Sequence, residues 1–118
     1  MNLKIHKTGG GSIAELIHAG TLINSTDDML DLIAESGMTD AQSIIVFEDQ
    51  LNPGFFNLST RLAGDILQKI SNYRMRMAIV GDFSKYPGRS LQDFIRECNR
   101  GKMVCFTGTI EEALDRLK

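Results

Sequence analysis

Hydrophobic positions along the chain switch between continuous runs of strand length and stripes of helical period, and that switching predicts an α/β fold. Leu3 to His6 and Ile13 to His18 read as two strands joined across the glycine-rich turn at Gly9-Gly10-Gly11, a hairpin signal that implies antiparallel pairing. On the second strand Ile13, Glu15 and Ile17 share one face and Ala14, Leu16 and His18 the other. Ser25 or Thr26 then offers an N-cap, Asp27 and Asp28 suit the positive end of a helix, and Met29, Leu32, Ile33 and Ser36 recur at helical spacing up to Gly37. Ile44 to Phe47 is a continuous β-branched and aromatic run, the pattern of a central parallel strand covered on both faces.

After an irregular stretch from Gln50 to Phe56, with Asn52-Pro53-Gly54 as a turn and Phe55-Phe56 as a core anchor, Leu58, Leu62, Ile66 and Ile70 recur every fourth residue and predict a helix from Leu58 to Asn72. Arg74 to Val80 begins as an alternation and becomes wholly apolar, as a strand does on passing from a sheet margin to its middle. Ser90 can cap a helix that carries Leu91, Phe94, Ile95 and Cys98 and closes at Gly101; Met103 to Phe106 reads as a fifth strand. Thr109-Ile110-Glu111-Glu112 is a capping box that opens a last helix through Leu117. The order is ββαβαβαβα: one domain over residues 1–118, with a mixed, mainly parallel sheet of five strands, four helices and right-handed crossovers.

Composition narrows the function classes. With 13 Lys and Arg against 15 Asp and Glu the net charge is -2, which leaves no basic excess for a phosphate backbone, so no nucleic-acid partner is expected. The longest apolar runs are of strand length, well short of the roughly 20 residues that span a bilayer, and the N-terminus lacks the apolar region of a signal peptide. The expectation is a cytoplasmic protein with no membrane partner. Cys98 and Cys105, the only cysteines, are expected as reduced thiols, with Cys105 a small core hydrophobe.

In an open α/β sheet, ligands sit outside the carboxyl ends of the parallel strands, which directs attention to the loops after Phe47 and Val80. Those loops and the predicted helix start at Leu58 carry Glu48, Asp49, Asn52, Asn57, Ser59, Thr60, Arg61, Asp82, Ser84, Lys85, Tyr86 and Arg89. Glu48 or Asp49 with Asp82 has the chemistry of a general acid and base or of hard-cation ligands, and Arg61 with Arg89 that of a clamp on phosphate or carboxylate. The same residues equally cap turns and neutralise one another. No nucleophile motif, metal-ligand spacing, dinucleotide fingerprint or phosphate-binding loop accompanies them, so no cofactor, no metal and no catalytic residue is expected. His6 and His18 lie on neighbouring strands without a third ligand. Tyr73 and Tyr86 read as exposed aromatics beside arginine, suited to an interface, and the edge strand of the hairpin leaves a homodimer open.

The segment Ser90 to Leu117, a helix, a glycine turn, an apolar strand and Thr109-x-Glu111-Glu112-Ala113-Leu114, resembles the C-terminal part of STAS domains, the fold of bacterial anti-sigma-factor antagonists. Across nearly its whole length the chain more closely resembles a bacterial family described as domain of unknown function 4180, through Phe55-Phe56-Asn57-Leu58-Ser59-Thr60-Arg61-Leu62-Ala63-Gly64-Asp65-Ile66-Leu67-Gln68-Lys69, Ser71-Asn72-Tyr73-Arg74 and Ala78-Ile79-Val80-Gly81-Asp82-Phe83-Ser84. STAS antagonists carry a phosphorylatable serine at the start of the helix after the third strand. Ser59 falls in that region here, with Leu58 where those proteins have an aspartate and Arg61 where they have a small glycine.

These resemblances and the missing catalytic signatures favour a non-enzymatic regulatory or protein-interaction module of STAS-like type. Its expected site is Glu48, Asp49, Asn57, Ser59, Thr60, Arg61, Asp82, Ser84 and Arg89, facing a protein partner or a small anionic ligand, with Ser59 as the position for phosphorylation. The alternative is a small-metabolite-binding protein or small enzyme with a polar site at the carboxyl ends of the third and fourth strands.

Overall fold

A β-branched and aromatic run with both faces apolar can only be satisfied inside a sheet that is covered on two sides, and the chain builds that arrangement around β3 (Ser43–Phe47), where Ile44, Ile45 and Val46 are wholly buried. The computed structural model describes all 118 residues. Its elements are β1 (Asn2–Thr8), β2 (Gly11–Ile17), α1 (Thr26–Gly37), β3, α2 (Leu62–Asn72), β4 (Arg76–Val80), α3 (Arg89–Arg100), β5 (Val104–Thr107) and α4 (Ile110–Leu117). The five strands lie side by side in chain order. β1 runs antiparallel to β2, and β2 to β5 are parallel. The mixed, mainly parallel sheet and four α-helices match the expected order; three short 3-10 turns (Glu48–Gln50, Pro53–Phe56 and Leu58–Thr60) fill the segment between β3 and α2.

Alternation along the strands divides the sheet into two unequal cores. Leu16, Ile44, Val46, Met77, Ile79, Val104 and Phe106 face one way and pack with Met29, Leu32 and Ile33 of α1, Ala63, Ile66 and Ile70 of α2, and Leu91 and Ile95 of α3. Ile13, Ile45, Ala78, Val80 and Cys105 face the other way and meet only α4, through Ala113 and Leu117. Three crossover helices on one face follow from the order, because sequential right-handed crossovers always return on the same side.

Local chemistry sets the ends. Ser25 Oγ accepts from the Asp28 N–H at 3.2 Å while Asp28 Oδ2 accepts from the Asn24 N–H at 2.8 Å, a reciprocal cap on α1. Thr109 Oγ1 accepts from the Glu112 N–H at 3.2 Å and opens α4 as expected. The helix expected from Leu58 instead begins at Leu62. Asn57 accepts from the Ser59 N–H at 3.2 Å, Thr60 donates its hydroxyl to the Gly54 and Asn57 carbonyls, and Arg61 adopts φ 65°, so side-chain bonds to the backbone hold residues 57–61 out of the helix. Leu58 still packs on the core, which is why the four-residue period runs one turn past the true start. At the other end Arg74, at φ 56°, stands in the left-handed position that closes α2, with the Met75 N–H bonded back to Ile70 O at 3.0 Å. No helix is long and apolar enough to cross a membrane.

Candidate functional site

The carboxyl ends of β2 to β5 form a rim with the N-termini of all four helices, and what lies there depends on how the chain turns immediately after β3. Gln50, buried in that turn, folds back: its Oε1 accepts from the Phe47 N–H at 2.9 Å and its Nε2 donates to Leu16 O at 3.0 Å and His18 O at 3.1 Å. The Gln50 carbonyl in turn accepts the N–H groups of Leu22 and Ile23 at 2.9 Å. One residue thus ties the end of β2, the segment after it and the end of β3 together, and it aims Glu48 across the sheet toward β4.

Glu48 meets its partners over Gly81. A Cβ at position 81 would lie 2.6 Å from Glu48 Cβ and 2.7 Å from Glu48 Oε1, so only a glycine leaves room for this carboxylate at the end of β4. Glu48 Oε2 accepts from Lys85 Nζ at 2.7 Å and from the Tyr86 hydroxyl. The Tyr86 ring stacks on Phe56 with centroids 4.9 Å apart and planes 12° apart. These groups, with Asp49 and Thr21, line a shallow depression of about 270 Å3.

Burial in this contact and the adjacent Glu48 carboxylate, in that order, push the Tyr86 phenol above its ordinary ionisation range. A phenol whose pKa is raised on folding contributes stability that is complete below its unfolded value, about 10, and is lost as pH rises beyond it. With Tyr73→Phe as background Tyr86 is the only tyrosine, and its absorbance titration is expected to have a midpoint above 10 that Glu48→Gln lowers without abolishing the burial effect. An unchanged midpoint in Glu48→Gln would mean that the carboxylate is not acting on the phenol.

The remaining expected residues divide. Asp49 is exposed at the same depression. Asp82 is engaged by Ser84, whose Oγ donates to Asp82 Oδ1 at 2.6 Å and whose N–H donates at 3.1 Å, holding that carboxyl below its usual range. Asn57 and Ser59 line a second groove of about 350 Å3 between their loop and the first turn of α3, with Gly88, Ser90 and Leu91 opposite and Phe56 shared with the depression at Glu48. Ser59 is exposed, its Oγ donating to Asn57 Oδ1 at 2.7 Å. Arg61 is exposed, with no side-chain bond. Arg89 is 95% exposed and 3.9 Å from Asp93, and neither it nor Arg61 lines either groove.

Lys85 counts among the rim residues of the sequence but stands outside the expected site, Phe56 is expected only as a core anchor, and Gln50 only as the start of an irregular stretch. Tyr86, read as an interface aromatic, is half-buried in the depression at Glu48. The two histidines are separate: His6 Nε2 lies 2.8 Å from Glu15 Oε1, and His18 Nδ1 lies 3.0 Å from Gly20 O. No three His, Cys, Asp or Glu side chains are grouped to hold a metal ion. Burial raises both thiols, Cys98 and Cys105, away from the thiolate form that reacts.

The shallowness of the rim has a topological cause. In doubly wound sheets a crevice opens where the strand order reverses and successive helices pass to opposite faces. Here the order never reverses between β2 and β5, and α1, α2 and α3 start side by side on one face.

A family model described as a domain of unknown function, DUF4180, matches residues 8–117. The chain belongs to this family. No match to a curated protein or to a solved structure was found. The DUF4180 match spans both grooves, the Gln50 tie and the Gly81 contact, and its α/β layout is compatible with the STAS-like order.

Proposed function

We propose that this DUF4180 domain is a non-enzymatic regulatory module of STAS-like type that meets a protein partner through the groove between residues 56–61 and the first turn of α3, with Ser59 as the position at which phosphorylation controls the contact. The observation that carries this reading is the division of labour at the rim. Glu48 is engaged by Lys85 and Tyr86 and Asp82 by Ser84, whereas Ser59, bonded only to its neighbour Asn57, and Arg61 stand exposed on a loop whose backbone is pinned by Asn57 and Thr60. Rigid backbone under exposed polar side chains is what a recognition surface requires. Phe55 and Phe56, both buried, anchor that loop to the core and keep its position independent of a partner.

Affinity capture from native lysate, comparing the wild type with Ser59→Glu and Arg61→Ala, tests the surface. Both variants are expected to fold with unchanged thermal stability and to lose at least tenfold in recovery of the same partner. Equal recovery by all three proteins would remove this surface from consideration. A thermal-shift screen of metabolites addresses the small-ligand alternative: a ligand at 100 times its Kd adds about 2.7 kcal/mol of stability, and a shift abolished by Glu48→Gln would transfer the function to the depression at Glu48.

A further inference from the structure

Cations are concentrated at the end of the sheet opposite the rim. Two contiguous depressions of about 530 and 670 Å3, which share Arg76 and Lys118, are lined by Arg74, Arg76, Arg100, Lys102, Arg116 and Lys118. That is six of the chain's 13 Lys and Arg, while Asp115 is the only one of its 15 Asp and Glu among the lining residues. A domain of net charge -2 therefore carries a strongly positive end.

Helix-end complementarity accounts for part of this. Helices α3 and α4 finish here, and their terminal carbonyls attract cations. Arg76 donates to Lys102 O at 2.6 Å, to Arg116 O at 2.8 Å and to Leu117 O at 3.4 Å; Arg116 donates to Asn99 O at 2.8 Å. Arg100 and Lys118 have exposed carboxylate partners in Glu97 and Asp115. Arg74 and Lys102 are not explained in this way, because neither side chain makes any hydrogen bond or ion pair. Arg76 is held rigidly by neutral carbonyls, with no carboxylate against it. The side of the cleft facing the β1–β2 turn adds neutral hydrogen-bonding groups at Thr8, Ser12, Gln42 and Ser43, and only Ile13 and Leu117 are hydrophobic among its 11 lining residues.

We propose that this cleft binds a compact polyanion, a di- or triphosphate group of a small soluble ligand. Fixed guanidinium groups suit phosphate oxygens, several cations spread over two joined depressions suit more than one phosphate, and a volume of several hundred Å3 is that of a small-ligand site. No aromatic side chain lines either depression, so there is no surface on which a nucleobase stacks, and the recognised part of the ligand is the phosphate chain. The site is separate from the rim groove and does not depend on the partner reading.

Inorganic triphosphate is the probe. Calorimetric titration of the full chain, with sodium chloride matched for ionic strength as control, is expected to give saturable binding. Arg74→Gln with Lys102→Gln together should weaken it at least tenfold while leaving the melting temperature of the free protein unchanged, since neither side chain is bonded. Amide NMR shifts should concentrate at residues 8–12, 42–43, 74–76 and 116–118. No heat beyond the salt control, or equal affinity in the double variant, would overturn the proposal. Binding of a short single-stranded oligonucleotide more tightly than triphosphate, lost in the same variant, would overturn it in favour of nucleic acid.

Discussion

Replacing Gln50 with leucine is expected to cost about 4 kcal/mol of folding stability, although the substitution keeps the side chain's size and removes only a polar group. Three backbone groups depend on that amide: the Phe47 N–H, Leu16 O and His18 O. In the variant all three lose this partner, Leu16 O in a buried contact and the Phe47 N–H and His18 O in part-buried ones, and a buried backbone group left without a partner costs about 1–3 kcal/mol, reduced by whatever water can enter. For a chain of this length that loss corresponds to a fall of about 12–20 °C in melting temperature, read by circular dichroism, against a total stability of only about 5–15 kcal/mol. Gln50→Glu tests the same geometry through charge. Its carboxylate would point at two carbonyl oxygens, which raises its pKa in the folded state, so its stability should be lowest at neutral pH and recover as pH falls and the acid becomes protonated. A loss under 1.5 kcal/mol in Gln50→Leu, or a Gln50→Glu variant insensitive to pH, would show that the tie is not what joins β2 to β3.

Gln50 also marks where the sequence stops being readable. Strand and helix periods report which face of an element is apolar, and they placed β3, β4 and α1 closely because burial alone decides those segments. The role of Gln50 comes from the unpaired carbonyls of Leu16 and His18, more than 30 residues earlier, and no local pattern encodes that meeting. The helix from Leu58 failed for a related reason: the apolar period reported burial of Leu58 correctly, while Asn57 and Thr60 decided the backbone. The rim was located correctly from the alternation of strands and helices, but its internal pairing was not, because Glu48 is answered by Lys85 and Tyr86 where arginines were expected.

Charge followed the same rule. A net charge of -2 describes the sum and hides its arrangement. All four helices begin at the rim and end at the opposite edge; Asp27 and Asp28 of α1 and Glu111 and Glu112 of α4 stand at positive dipole ends, and Lys69 of α2, Arg100 of α3 and Arg116 of α4 at negative ends. The anion site proposed at that other end rests on Arg74 and Lys102, whose side chains are unpaired, and on a lining that carries a single acid.

Gly81→Val is expected to be the most damaging substitution at the rim itself, at about 3 kcal/mol. Gly81 is not among the glycines with positive φ, so the cost is one of space and not of backbone conformation. The new Cβ would overlap Glu48 Cβ at 2.6 Å and sit 3.3 Å from Phe83 Cζ. Glu48 lies directly after a strand buried from Ser43 to Val46 and cannot retreat without disturbing it, so the side chain must rotate off Lys85 and Tyr86. That displacement has a spectroscopic consequence: in the Tyr73→Phe background the Tyr86 titration midpoint should fall in Gly81→Val, as it does in Glu48→Gln. A double-mutant cycle isolates the contact. Gly81→Ala should cost clearly less in a Glu48→Gly background, where both overlapping atoms are gone, than in the wild type. If the two costs simply add, Glu48 does not lie against Gly81, and the Glu48–Lys85–Tyr86 arrangement has to be redrawn.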